Sequence, residues 1–103
     1  KDFLMEIMKP FRKRIDDLDD QIIDLLVQRT EIIREVADFK YKNNIPAVLQ
    51  DRVDEVRERC AARAEQQNMD ADTIRTMYAA LIKYSCDLEE ELMAEKAANR
   101  KSA

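Results

Sequence analysis

The chain has no glycine, no histidine and no tryptophan, and only two prolines and two cysteines among its 103 residues. Each absence excludes something. Tight hairpins need residues that reach positive φ without a steric cost, and glycine is the usual occupant. A chain without it is poorly suited to β-hairpins. Without histidine there is no imidazole base, no Ser-His or Cys-His nucleophile pair and no ordinary zinc site. Cys60 and Cys86 stand far apart without metal-ligand spacing, so no metal is expected, and reduced thiols in a cytoplasmic protein fit them best. No run of apolar residues reaches membrane-spanning length, and the opening "KDFLMEIMKPFRKR" lacks the apolar stretch of a secretory signal. Eighteen basic residues against 22 acidic ones give a net charge of −4, without the basic surplus usual for nucleic-acid binding. The expectation is a protein with neither nucleic acid nor membrane as a partner.

What is present is helix-forming. Alanine, leucine, glutamate, lysine, arginine and glutamine dominate, and 39% of the residues are charged. The spacing predicts an all-α chain of three helices in a single domain spanning residues 1–103. The first helix is expected from about Pro10, a residue suited to a first helical position, to Lys42. Residues 1–9 and 97–103 are expected to be mobile ends. "NNIP" at 43–46 should stop the helix, because Pro46 pushes Ile45 out of the α region. A second helix is expected over about Asp51–Gln67, with Val53, Val56, Cys60 and Ala64 on one face. A third should run from an Asp70 cap to about Lys96, with Ile74, Met77, Tyr78, Leu81, Ile82, Leu88 and Leu92 as its apolar row.

The first helix carries a seam of Ile15, Leu18, Ile22, Leu25, Arg29, Ile32, Val36 and Phe39 in heptad spacing, with one charged interruption. A helix over 10–42 would be about 50 Å long at ~1.5 Å per residue. A compact domain of this size has a radius of gyration of only ~13 Å. Such a helix outgrows its own domain, so its apolar seam predicts a homodimer with the long helices paired.

Two cations lie on that helix where a core should be. Arg29 and Lys40 are eleven residues apart, close to three turns, and so share an azimuth. Arg29 can be read as half of a buried ion pair or as a cation reaching out of the seam. Lys40 can be read as a favourable charge at a helix C-terminus. Together they also suit a small dianion, because an arginine offers a two-pronged match to a carboxylate. On the third helix, Ser85 and Glu89 interrupt the row that passes through Tyr78 and Ile82. Each is ordinarily unremarked, a tolerated small residue and a half-exposed acid. Beside inward cations they become candidate pocket groups.

These residues resemble those of the all-helical class of chorismate mutases, over about Phe11 to Met93. "RKRIDDLDDQIIDLLVQR" is similar to that family's opening, R-x-x-I-D-x-L-D followed by paired leucines and an arginine. "VADFK" resembles the lysine-bearing end of the first helix. "IPAVLQDRV" resembles the loop and second-helix start, and "NMDADTIRTMYAALIKYS" the approach to the last helix. The resemblance implies an intertwined homodimer of three helices per chain with two shared active sites. It implies rearrangement of chorismate, a dianionic small molecule, to prephenate in one concerted step without a cofactor. The residues carried over are Arg12 (supplied by the partner chain), Arg29, Lys40, Arg52, Ser85 and Glu89. Arg12 and Arg29 would hold substrate carboxylates. Lys40 and a protonated Glu89 would donate to the ether oxygen, and Arg52 and Ser85 would steady a carboxylate and the rim.

Two positions depart from the mutase pattern. Val53 stands where many of these mutases have a glutamate that helps bind the substrate hydroxyl, and Leu49 replaces a common acidic residue. Glu89 itself stands where many relatives have glutamine. Isochorismate-pyruvate lyases resemble the mutases in fold and lack the glutamate that Val53 replaces, yet tend to carry an aromatic residue where this chain has Ser85. Three readings follow: a chorismate mutase, a lyase or mutase-like enzyme for a related enolpyruvyl ether, and a non-catalytic helical dimer module.

Overall fold

A computed structural model describes residues 2–102. Three helices account for nearly all of them: α1 (Asp2–Lys42), α2 (Gln50–Glu65) and α3 (Ala71–Ser102), with no strand among the described residues. No described helix is long and apolar enough to cross a membrane.

Two boundaries differ from the sequence reading. α1 begins at Asp2 rather than near Pro10, which lies in the helix interior. Proline fixes φ at a helical value, but it lacks the N–H that would reach the carbonyl four residues back and its ring crowds that carbonyl. The strongly helix-forming residues on either side carry the helix through. α3 continues past Lys96 to Ser102, because its last turns are rich in alanine, arginine and lysine and hold no breaker.

The chain divides within α1 into two compact units, one ending at Ile32 and the other beginning at Ile33. The first unit is helix alone. Its seam residues Ile15, Leu18, Ile22, Leu25 and Ile32 are each between 50% and 62% exposed among the described residues. Leu4, Met8 and Phe11 continue the same alternating spacing of three and four residues towards the N-terminus, and they too are exposed.

The second unit holds the end of α1 with α2 and α3. α2 and α3 pack side by side, and Arg75 of α3 donates from Nε to Glu58 of α2 at 3.0 Å. The end of α1 meets α3 through side chains. Lys96 Nζ lies 3.0 Å from Asp38 Oδ1, and Tyr41 Oη reaches the Lys96 carbonyl at 3.5 Å. The buried apolar residues are few and modest in size: Ala37, Val56, Ala61 and Ile82. Val53, Cys60, Ala64, Ile74, Tyr78, Leu81, Leu88 and Leu92 are half-buried, as their expected row requires, while Met77 is exposed.

The joints solve the absence of glycine with asparagine. α1 ends in a Schellman motif: Ile45 N–H donates to the Lys40 carbonyl at 2.9 Å and Asn44 N–H to Tyr41 at 3.4 Å, with Asn44 at φ 56°. α2 ends the same way, with Met69 N–H on Ala64 at 3.0 Å, Asn68 N–H on Glu65 at 3.1 Å and Asn68 at φ 62°. Asparagine tolerates the left-handed region better than other residues bearing a Cβ. α3 then starts on the expected cap: Asp70 Oδ2 accepts from Thr73 N–H at 2.8 Å and from the Thr73 hydroxyl at 2.7 Å.

Candidate active site

The two polar residues that are buried among the described residues are Ser85 and Glu89, at 5% and 4% exposure. They are four apart on α3 and therefore stacked on one face. That face is turned towards the end of α1, where Lys40 stands. Lys40 Nζ lies 2.7 Å from Glu89 Oε1, and both side chains are largely withdrawn from solvent, at 14% and 6% exposure. The contact is an ion pair whose angles fall outside hydrogen-bond geometry, so Oε1 accepts no aligned hydrogen bond. At this distance and with so little solvent between them, the two opposite charges attract whatever their alignment.

The ammonium is also anchored to the α1–α2 loop. Its Nζ donates to the Ala47 carbonyl at 2.7 Å. An ammonium carries three N–H donors, and the Ala47 carbonyl takes one of them in an aligned hydrogen bond. Ser85 Oγ donates to the Leu81 carbonyl one turn back at 3.0 Å. Cys86 borders the pair. Burial holds its thiol above the usual range, and the Glu89 charge pushes the same way against the smaller opposing effect of Lys40.

The other expected site residues stand as follows. Arg52 is in the first turn of α2, exposed, and pairs with Glu55 rather than with Glu89. Arg29 is half-buried on α1. Arg12 is exposed on α1, with Nη1 3.1 Å from Met5 Sδ. The departures Leu49 and Val53 are joined by the Val53 N–H donating to the Leu49 carbonyl at 3.1 Å, in the first turn of α2. The carbonyl of Ala47 and the cap at Asn44 escape a reading of residue types. The available signal is an asparagine at a helix end in a chain that has no glycine.

A half-buried lysine in contact with a buried glutamate, with a serine one turn away, gathers donors and an acceptor on a face largely withdrawn from solvent, and the ammonium's unused donors suit a ligand that accepts hydrogen bonds. Comparison with known proteins then decides the family, for the sequence profile of chorismate mutase type II matches residues 11–90. The chain belongs to the type II chorismate mutase family. Membership places it among isomerases, and the matched span contains Arg12, Arg29, Lys40, Arg52, Ser85 and Glu89.

Individual relatives are distant. A 4-amino-4-deoxychorismate mutase of Streptomyces pristinaespiralis is 28% identical over 83 residues, which is 81% of this chain and 64% of the relative. A chorismate mutase of Methanocaldococcus jannaschii is 24% identical over 92 residues, 89% of this chain and 93% of the relative. A 4-amino-4-deoxychorismate mutase of Streptomyces venezuelae is 24% identical over 89 residues, 86% of each chain.

Proposed function

We propose that this chain rearranges chorismate to prephenate, without cofactor or covalent intermediate, in sites that two copies build together as one functional domain each. The observation that carries the proposal is the buried Lys40–Glu89 pair beside Ser85, inside the span matched by the family. In the reaction the ether C–O bond breaks while a new C–C bond forms within the same molecule, and no proton need be gained or lost overall. The enzyme's task is therefore orientation and charge stabilisation.

Arg12 of one copy and Arg29 of the other hold the two carboxylates and favour the compact conformer in which the reacting carbons meet. Arg52 exchanges Glu55 for substrate at the rim, and Ser85 steadies a carboxylate. Lys40 turns a donor not used on Ala47 to the ether oxygen, which gains negative charge as its bond to carbon breaks. A donor already fixed there lowers the barrier. Glu89 serves the same oxygen as the protonated acid, since an ether oxygen only accepts. In the substrate-free chain Glu89 is ion-paired with the ammonium, so this role requires that substrate binding part the pair and that Glu89 take up a proton from solvent.

A second reading concerns the substrate's ring substituent. Leu49 and Val53 are apolar, and two of the relatives are named for the 4-amino analogue. The same pocket would then take 4-amino-4-deoxychorismate or, in the lyase sense, isochorismate.

The test is turnover of all three compounds by the purified protein, with prephenate from chorismate as the expected main product. Lys40→Ala should cut kcat by roughly 10²- to 10³-fold. Glu89→Gln, which keeps a donor, should retain far more activity than Glu89→Ala. Turnover of none of the three would leave a non-catalytic module. Preference for another substrate would move the assignment to that compound.

A further inference from the structure

We propose that Asn44 is a positioning residue for Lys40, fixing through the α1–α2 loop where the ammonium points. The proposal rests on the mutase reading for its effect on turnover, but not for its geometry.

Three contacts form a closed circuit around Lys40. Its backbone carbonyl accepts from Ile45 N–H at 2.9 Å, its side-chain Nζ donates to the Ala47 carbonyl at 2.7 Å, and the same Nζ faces Glu89 Oε1 at 2.7 Å. The residue that lets the chain double back between these contacts is Asn44, at φ 56°. With a right-handed φ there, the loop would leave α1 in another direction, and Ala47 would not return over the last turn. Pro46 then restricts both its own φ and the conformation of Ile45, so little freedom remains between the cap and Ala47. A lysine side chain has four rotatable bonds and is ordinarily the least fixed of side chains. Here a neutral carbonyl holds the ammonium from one side without cancelling its charge, and Glu89 faces it from another. Asn44 touches no reacting atom. It acts through Ala47, and Ala47 acts on Lys40.

The chain supplies its own control. Asn68 adopts the same conformation at φ 62°, in the same motif, at the end of α2. The residue in Lys40's place there is Ala64, which has no side chain to aim. A β-branched residue strains both turns alike. If Asn44 were only a helix cap, the two replacements would have the same consequences.

The experiment compares Asn44→Val, Asn44→Gly and Asn68→Val by thermal melting, by kcat and KM, and by NMR of protein carrying 15N in its lysine ammonium groups. A buried ammonium held by a carbonyl and a carboxylate exchanges its protons slowly and gives a distinct signal, identified by its loss in Lys40→Gln. Both valine variants should melt lower by similar amounts. Asn44→Val should lose the Lys40 signal and at least tenfold in kcat, with KM changed less. Asn44→Gly, free to adopt positive φ, should keep the signal and stay within twofold of the parent in kcat. Asn68→Val should keep both. If Asn44→Val fails to fold, the milder Asn44→Ala is read in its place with the same expectations. A valine or alanine variant at 44 that retains both the signal and kcat overturns the proposal. So does an equal loss of signal in Asn68→Val. If the parent turns over none of the substrates, the mutase reading fails by itself and the ammonium signal alone decides the role of Asn44.

Discussion

Lys40, Glu89 and Asp70 are single side chains that determine how an element starts, ends or reacts. Asp70 is the simplest. Its carboxylate accepts from the Thr73 hydroxyl and backbone N–H, and those bonds hold its pKa below the ordinary aspartate value. A depressed folded-state pKa means that the ionised cap stabilises the fold above the unfolded-state value, ~3.9, and that this contribution fades as pH falls through the folded value. Asp70→Ala should therefore melt a few degrees lower than the parent at pH 7, with the gap narrowing as pH falls below ~4 and through the folded-state value. Melting curves across that range check it, and a gap that stays constant would assign the effect to something other than the charge. At this scale the sequence was informative where chemistry is carried by residue type. Ser85 and Glu89 stood out as polar interruptions of an apolar row, and both are buried. It was silent on Ala47, because a backbone carbonyl leaves no mark on residue type. Nor could it show that Arg52 pairs with Glu55, since several acids lie within reach of an exposed arginine.

Helices were legible from composition and period, and their ends less so. Pro46 marks the stop after Lys42 in the sequence, and the physical stop is Asn44 at positive φ, with its N–H on the Tyr41 carbonyl and the Ile45 N–H on that of Lys40. Pro10 marks a start for α1 because proline suits a first turn, but neighbouring helix formers outweigh its missing hydrogen bond and the crowding of its ring. The pairing of α2 with α3 depends on small residues that a reading by apolar rows passes over. Ala61 is wholly buried on α2, and α3 is the element packed against it. Ala61→Leu should overfill that contact and destabilise the chain by about 1–3 kcal/mol, seen as a lower denaturant midpoint. An unchanged midpoint would mean that the two helices part easily to admit the larger side chain.

On the scale of the whole molecule, the exposed seam of α1 is the largest unresolved demand for burial. We expect a second copy to cover it, giving a sedimenting species of twice 12.1 kDa at micromolar concentration. If Arg12 serves the partner's site, Arg12→Ala and Arg29→Ala proteins refolded together should regain activity that neither has alone. Half of randomly paired dimers are mixed, and each mixed dimer keeps one intact site of two, so recovery should approach about a quarter of the parental rate. Mixed dimers with no recovered activity would mean that Arg12 acts within its own chain or not at all, and a folded monomer would remove the shared site altogether.

The two asparagine joints also affect the chain before it folds. A glycine at either position would enter the turn with no strain, yet it would wander over far more conformations in the unfolded ensemble. Asparagine reverses that balance, accepting some crowding in the native turn in return for a narrower unfolded state. With no glycine anywhere in its 103 residues, the chain has less backbone freedom to surrender on folding than an ordinary sequence of its length. That saving in disorder helps a molecule whose own core consists of little more than two alanines, a valine and an isoleucine.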